Sequence, residues 1–266
     1  MNTDNSGGMP QHSDRSLVAY KNHAFLESPD GRALRILSEY LQPLSHLRTE
    51  KVQDTVVFFG SARIAEEGKL SRYYHEAREL ACLFTEWCNG LPDTARRFVV
   101  CTGGGPGIME AANRGAADAG GHSIGLNIGL PFEQFPNPWI TPELSFEFHY
   151  FFMRKFWFAY PARALVVFPG GFGTMDEMFE MLTLMQTQKL EGKVVMILYG
   201  TEYWHKILNF DALVEYGMIS PEDIHIFQEA DDPQTALRLL QEGLTKYYPA
   251  ADAEEGATPT LAKSRV

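Results

Sequence analysis

Short apolar runs alternate along the chain with longer segments in which apolar residues recur every three or four positions. The runs show little polar alternation, which is typical of strands buried on both faces, and predict strands at residues 56–59, 98–101, 123–128, 164–168, 194–198 and 225–227. The periodic segments predict helices at residues 67–88, 107–119, 174–188, 202–215 and 233–246. Strands that alternate with helices build parallel sheets through right-handed crossovers. We therefore predict an α/β fold, a Rossmann-like, doubly wound parallel sheet of about six to seven strands with helices on both faces.

The segments outside this alternation predict two tails and one added helix. Residues 1–29 are rich in Ser, Asn, Gly and Asp, residues 250–266 are rich in Ala, Glu, Thr and Pro, and neither stretch has a period, which is typical of disordered tails. Leucines spaced three and four apart predict an amphipathic helix at about residues 30–47, packed across the domain or against a partner subunit. We expect a single domain over residues 30–249, with this helix as an N-terminal addition.

Three predicted strand-to-helix loops are rich in glycine and carry the candidate chemistry. They read GSAR at residues 60–63, GGGPG at 103–107 and PGGFG at 169–173. In parallel sheets such loops gather at the carboxyl ends of the strands, where ligands bind. Each glycine costs about 0.5–1 kcal/mol of backbone entropy, so four in five residues indicate a use. Free N–H groups and the positive end of a helix dipole there predict an anion site, and a tight turn is the alternative.

The residues around the second and third loops refine this prediction. Pro106 suits a first helical turn, and Thr174 suits either an N-cap or a phosphate contact. Asp176 and Glu177 fall in the predicted first turn, where Asp176 would complement the helix dipole. Ile108 stands where a dinucleotide-binding fingerprint needs glycine, which disfavours a nicotinamide-dependent enzyme.

Two of these runs resemble the signature motifs of the LOG ("Lonely Guy") family. They are GGGPGIM at residues 103–109 and PGGFGTMDE at 169–177, and the second matches the family pattern P-G-G-x-G-T-x-x-E at every fixed position. The resemblance extends over about residues 56–199 and includes MRK at 153–155. It implies hydrolysis of the N-glycosidic bond of a purine or cytokinin nucleoside 5′-monophosphate, which releases the free base and ribose 5-phosphate. Many members are labelled lysine decarboxylases, but no local pattern here suggests a pyridoxal-phosphate lysine.

The resemblance implies specific roles for individual residues. The catalytic glutamate corresponds to Glu177 and the catalytic arginine to Arg154. The loops and the family together imply a set of phosphate- and nucleotide-binding residues: Gly60, Ser61, Gly103, Gly104, Gly105, Gly107, Met109, Lys155, Gly170, Gly171, Gly173 and Thr174. From the residues alone, Arg154 is equally an exposed arginine that stacks on a ring of the aromatic-rich segment 151–158. The stretch 130–145 departs from compact members, so the base remains open among isopentenyladenine, adenine and guanine.

Charge and composition bound the partners of this chain. The formal net charge of −11 argues against a nucleic-acid surface, but not against an anion held by loop amides. No apolar run reaches the roughly 18 residues of a membrane span, and the polar start lacks the apolar core of a signal peptide. We expect a cytoplasmic protein without membrane or nucleic-acid partners.

Further expectations concern cofactors, assembly and turnover. Histidines, cysteines and acids show no metal-ligand spacing, so we expect no metal and no cofactor. Aromatic residues cluster over residues 146–160, which indicates a core or a subunit interface, and with the family it favours a homodimer or higher homo-oligomer. The alternative function is a nucleotide-binding or sensing protein without turnover, built on the same loops.

Overall fold

The computed structural model of the chain describes residues 17–92, 96–129, 135–190 and 192–249. Residues 1–16 of the predicted N-terminal tail and the predicted tail at 250–266 lie outside the described residues, as do 130–134 of the departing stretch. The chain divides after Ser38 into two units, which are described in turn.

The first unit is helical over its described residues. Two 3-10 turns, Ala19–Lys21 and Pro29–Gly31, flank helix α1 (His23–Glu27), and helix α2 (Arg32–Thr49) begins in this unit. The Asn22 side chain accepts a hydrogen bond from the Phe25 N–H at 3.1 Å and caps α1. Residues 17–29 of the predicted tail are therefore partly helical, because side-chain caps stabilise turns in a segment without hydrophobic period.

The second unit contains one seven-stranded sheet. Its strands are β1 (Thr55–Phe59), β2 (Val99–Thr102), β3 (Ser123–Ile128), β4 (Ser145–Phe148), β5 (Ala162–Val167), β6 (Val195–Tyr199) and β7 (Gln228–Ala230). They lie in the order β4-β3-β2-β1-β5-β6-β7, and every neighbouring pair is parallel. The predicted doubly wound parallel sheet is confirmed.

Helices cover both faces of the sheet. The helices after α2 are α3 (Ser71–Asn89), α4 (Ile108–Asp118), α5 (Phe151–Ala159), α6 (Phe172–Gln186), α7 (Thr201–Ile207), α8 (Phe210–Glu215) and α9 (Pro233–Tyr247). Apolar residues of α3, α4 and α9 pack with Val56 and Phe58 of β1 on one face. On the other face Phe59 packs edge-on against Phe158 of α5. No helix among the described residues is long and apolar enough to cross a membrane.

The two edge strands are where the sequence-based assignments fail. The predicted strand at 225–227 overlaps the 3-10 helix Pro221–His225, and β7 begins after it. The Ser220 N–H binds the Asp223 carboxylate at 2.8 Å, and this capping interaction stabilises the helical turn. Strand β4 was not predicted because only Phe146 and Phe148 of its four residues are buried. The predicted helix 202–215 is two helices, because Asn209 caps a new helix at α8.

The strand order places a crevice beside β1. From β1 the chain builds β2, β3 and β4 on one side and then crosses to β5 on the other side. In open α/β sheets ligands bind at such a reversal, outside the carboxyl ends of the strands. The three glycine-rich loops follow β1, β2 and β5, so the fold brings them together at this point.

Candidate active site

The backbone of Ser61 ties the three glycine-rich loops to one another. Its N–H donates to the Pro169 carbonyl at 3.1 Å, and its carbonyl accepts from the Ile108 N–H at 3.2 Å. Its side-chain oxygen accepts from the Arg63 N–H at 3.1 Å, which tightens the first loop. The side-chain hydrogen bond of Ser61 is thus local, whereas its backbone hydrogen bonds fix the loops that follow β2 and β5 relative to the loop that follows β1.

Arg154 and Glu177 form a largely buried ion pair between α5 and α6. Arg154 Nη1 lies 2.8 Å from Glu177 Oε1, with 9% of the arginine and 15% of the glutamate side chain exposed. Arg154 Nε donates to the Leu126 carbonyl at 2.7 Å, and its guanidinium also stacks on the Phe158 ring at 4.9 Å. The alternative of an exposed arginine is therefore wrong, although the expected ring contact exists.

The environment of Glu177 raises the pKa of its carboxyl group. Burial disfavours the charged carboxylate and is the main cause, while the positive charge of Arg154 acts in the opposite direction. A carboxylate in such surroundings accepts a proton more readily than an exposed one, yet its arginine partner favours the ionised form. These are properties expected of a general base.

The glycines after β2 are partly explained by the turn itself. Gly104 and Gly107 have φ of +73° and +72°, a conformation that favours glycine. Gly103 lies against the ion pair, since a Cβ atom there would be 2.5 Å from Arg154 Nη2 and 2.8 Å from Met109 Sδ. The second loop therefore contains the tight turn that was the alternative to an anion site, and it also lies close to Arg154.

Of the three glycines after β5, one is required by packing and two, Gly171 and Gly173, are not. At Gly170 a Cβ atom would lie 2.1 Å from Thr174 Oγ1, so packing requires this glycine. Gly171 and Gly173 have no heavy atom within 4 Å of an added Cβ, and neither has a positive φ. Neither the backbone nor neighbouring side chains explain these two glycines, which border open space at the start of α6.

The observed helix boundaries correct three predictions. Helix α6 begins at Phe172 with Gly171 as N-cap, so Thr174 is not the N-cap. Asp176 and Glu177 lie beyond the first turn, so Asp176 does not complement the dipole there and binds Lys155 Nζ at 2.9 Å instead. Helix α4 begins at Ile108, so Pro106 precedes it. In each case glycine-rich sequence left the boundary undetermined, because glycine is compatible with loop, cap and first turn.

Lys155 links α5 to the outer side of α6. Its Nζ lies 2.8 Å from Asp176 Oδ2 and 3.2 Å from Glu180 Oε2. These carboxylates raise the pKa of Lys155 against the opposing effect of burial. The lysine thus binds two carboxylates of α6 on either side of Glu177 in the sequence, and its contact with a phosphate stays a prediction.

A buried polar network that the sequence analysis missed supports the second loop. Asn137 Nδ2 donates to the carbonyls of Gly104 and Gly105, both at 3.1 Å, and lies 2.9 Å from Asn113 Oδ1. The Thr102 hydroxyl donates to the same Asn113 oxygen at 2.7 Å and accepts from the Gly104 N–H at 3.0 Å. Asn137 belongs to the stretch 130–145, which departs from compact family members. Its position between two prolines was the one sequence feature that could have marked it as a structural residue.

Glu39, also missed, fixes the start of the helix that carries Arg154. Its two carboxylate oxygens accept from the N–H groups of His149 and Tyr150 at 2.8 and 3.2 Å. Its backbone carbonyl accepts from Trp157 Nε1 at 2.9 Å. Part of the added N-terminal helix therefore fixes the position of α5, a role that no local sequence motif predicts. Among the described residues, no group of three or more His, Cys, Asp or Glu has the arrangement of a metal site.

The chain is similar in sequence to several known proteins. The family model described as "possible lysine decarboxylase" matches residues 109–240. A probable cytokinin riboside 5′-monophosphate phosphoribohydrolase of Oryza sativa subsp. japonica, LOGL3, is 30% identical over 200 residues, covering 71% of this chain and 83% of the relative. LOG1 of Arabidopsis thaliana, a cytokinin riboside 5′-monophosphate phosphoribohydrolase, is 29% identical over 177 residues, covering 63% and 81%.

A solved structure supports the fold. The X-ray structure of TM1055 superposes with a TM-score of 0.51 at 21% identity and covers 71% of this chain and 99% of that protein. The sequence relatives, the matching family model and the two signature runs at the crevice all indicate the same family. The chain belongs to the LOG family.

Proposed function

We propose that this protein hydrolyses the N-glycosidic bond of a purine or cytokinin nucleoside 5′-monophosphate. The products are the free base and ribose 5-phosphate. The observation that carries the proposal is the Arg154–Glu177 pair, 2.8 Å apart, between two glycine-rich loops at the carboxyl edge of a parallel sheet. The names of the LOG relatives support the same class of reaction.

The phosphate end of the substrate is expected at the start of α6. Neither α4 nor α6 has a side chain that caps its first N–H groups, since the N-caps are Gly107 and Gly171. Uncapped N–H groups and the positive end of the helix dipole attract an anion. The open space at Gly171 and Gly173 lets a phosphate approach the backbone closely.

Glu177 is the expected catalytic carboxylate. Cleavage builds positive charge on the ribose ring as the bond from C1′ to the base nitrogen breaks, with its electron pair moving to the base. A water oxygen forms the new bond to C1′, and the proton it loses passes to the Glu177 carboxylate. The leaving base takes up one proton from solvent, and Glu177 afterwards returns its proton to solvent. A negative carboxylate near C1′ stabilises the transition state as well as activating the water.

Arg154 has two expected roles in this reaction. Its positive charge favours the ionised form of Glu177 and opposes the rise in pKa that burial causes. Its second terminal nitrogen packs closely against Gly103, where an added Cβ atom would lie 2.5 Å away. A guanidinium binds phosphate and ribose oxygens through paired N–H groups.

The direct test is release of free base from the purified full chain. We expect base and ribose 5-phosphate from at least one of adenosine, guanosine and isopentenyladenosine monophosphates, followed by chromatography. The unphosphorylated nucleosides are the matched controls and should react far more slowly, because phosphate anchoring supplies part of the binding energy. No base from any of the three monophosphates would overturn the proposal and favour a binding protein without turnover.

Replacing Gly173 with alanine should separate stability from binding. The position lies in the first turn of α6 with φ in the ordinary range and open space around it, so alanine fits and the thermal unfolding midpoint should hold or rise slightly. The added methyl group occupies the expected phosphate approach, so KM for the monophosphate should rise roughly tenfold or more. Gly217→Ala, at a remote positive-φ turn, is the control and should lower stability without changing KM. A G173A protein with wild-type KM would contradict a phosphate at this position.

We also propose that the chain forms a homodimer or higher homo-oligomer through an aromatic patch of α5 and α6. Phe151, Phe152 and Phe179 are each between 38% and 52% exposed, and Phe172 is 93% exposed. Clustered exposed aromatic residues mark interaction sites, and a two-fold contact lets one patch pack on its own copy. Light scattering of the wild type should give at least twice the mass of one chain. Phe179→Glu should lower this mass, whereas the control Tyr216→Glu, at the exposed residue that follows α8, should leave it unchanged. A monomeric wild type overturns this assembly.

A further inference from the structure

Two carbonyl groups of the loop after β5 are held on the protein side by hydrogen bonds. The Pro169 carbonyl accepts from the Ser61 N–H at 3.1 Å. The next carbonyl, that of Gly170, accepts from the Tyr203 hydroxyl at 2.6 Å. Both peptide units are trans, and in a trans unit the C=O and N–H groups point in opposite directions. The N–H groups of Gly170 and Gly171 therefore point away from Ser61 and Tyr203.

The orientation of the Gly170–Gly171 peptide needs such a restraint. Glycine adopts both signs of φ at similar cost, so a peptide between two glycines rotates easily. Rotated by half a turn, it would present a carbonyl oxygen, and thus partial negative charge, where an anion is expected. One hydrogen bond to the carbonyl is enough to favour one orientation over the other.

Tyr203 is itself firmly placed. It lies on α7, whose first N–H, that of Thr201, donates to Asp231 Oδ1 at 2.8 Å. The next residue, Trp204, is fully buried and donates through Nε1 to the Val167 carbonyl at 3.2 Å. Burial raises the pKa of Tyr203, so its hydroxyl remains a protonated donor over the range in which the enzyme is assayed.

We infer that Tyr203 is a positioning residue that holds the Gly170–Gly171 peptide with its N–H toward the crevice and thereby sets the affinity of the site for a phosphate group. The inference rests on the proposed function for the identity of the anion as a substrate phosphate. Tyr203 touches the loop and not the reacting atoms, so its effect falls on binding of the phosphate and little on the chemical step.

The test is Tyr203→Phe, which removes only the hydroxyl. Inorganic phosphate and adenosine monophosphate are titrated calorimetrically, and KM and kcat are measured for the monophosphate and for adenosine. We expect phosphate affinity to fall and KM for the monophosphate to rise about three- to tenfold, the range of one lost hydrogen bond. The kcat and the slow reaction of adenosine should change less than about twofold, since neither depends on the peptide orientation.

Tyr248→Phe is the matched control. The Tyr248 hydroxyl also donates to a backbone carbonyl at 2.6 Å, that of Lys193, at a position outside the glycine-rich loops. Y248F should cost similar stability and leave phosphate affinity unchanged. Equal phosphate affinity in Y203F and wild type overturns the inference, and so does an equal loss for adenosine and the monophosphate, which indicates general loosening. Absence of base release by the wild type concerns the proposed function alone, because the phosphate titration requires no turnover.

Discussion

Replacing Glu177 with glutamine is expected to lower kcat about 100- to 10,000-fold, the usual contribution of a positioned base. Glutamine preserves the size of the side chain and an oxygen that accepts from Arg154, so the loss comes from the missing negative charge. Affinity for inorganic phosphate should change less than about threefold, because the phosphate is expected at loop amides rather than at this carboxylate. Base release over time and phosphate titration measure the two effects separately.

The neighbouring carboxylate supplies the control. Asp176 is the next residue along α6, but its side chain is 55% exposed and binds Lys155. Asp176→Asn should retain kcat within about twofold, since an exposed charge in water contributes little to a barrier in the crevice. An E177Q protein that keeps more than about a tenth of wild-type kcat, or one that loses phosphate binding, would remove Glu177 from the catalytic role.

Replacing Arg154 with methionine should cost both activity and stability. The change leaves a buried carboxylate without its partner, and breaking such a pair costs about 3–5 kcal/mol. Burial already raises the pKa of Glu177, and loss of the arginine raises it further. We expect kcat/KM to fall at least about 100-fold, because substrate oxygens lose a paired donor and the protonated form of Glu177, which cannot act as a base, becomes more favoured.

The stability loss in R154M depends on pH in a defined direction. In the folded variant Glu177 binds its proton at a higher pH than in the unfolded chain, whose carboxyl pKa is about 4.3. Folded protein then holds more protons than unfolded protein between these two values, so stability falls as pH rises through that interval. Urea unfolding should therefore show a larger loss relative to wild type at about pH 8.5 than at about pH 5, just above the pKa of the unfolded chain.

The double variant R154M/E177Q tests the cause. It removes the uncompensated charge, so it should be more stable than R154M at about pH 8.5 despite carrying one more substitution. The hydrogen bond from Arg154 to the Leu126 carbonyl is lost in both proteins and cancels in the comparison. Equal destabilisation of R154M at both pH values, with no recovery in the double variant, would show that the pair does not carry the stability.

The sequence predicted the parts of this fold that depend on local pattern. Continuous apolar runs located β1, β2, β3, β5 and β6 to within two residues of the observed strands, because these strands are buried on both faces. The edge strands β4 and β7 failed because a half-buried strand of three or four residues has too few apolar positions to show a pattern. The start of α6 failed because its glycines favour no boundary.

The candidate site divides in the same way. The loops were visible in the glycine clusters, and Glu177 and Arg154 were assigned by resemblance to a family. Their 2.8 Å contact depends on where the fold places α5 and α6 relative to each other, which no spacing along the chain encodes. Asn137, Glu39 and Tyr203 act through hydrogen bonds to backbone atoms far away in sequence, so residue type alone could not identify them.

The position of β1 in the strand order has a consequence for synthesis of the chain. Its residues 55–59 pair on one side with 99–101, but on the other side with 162–167, which leave the ribosome much later. Until then the central strand, which is apolar except for Thr55, presents an unpaired edge, and such edges pair readily with other chains. The same late segment is flanked by α5 and α6, so the part of the chain that covers this edge of β1 also brings Arg154 and Glu177 together.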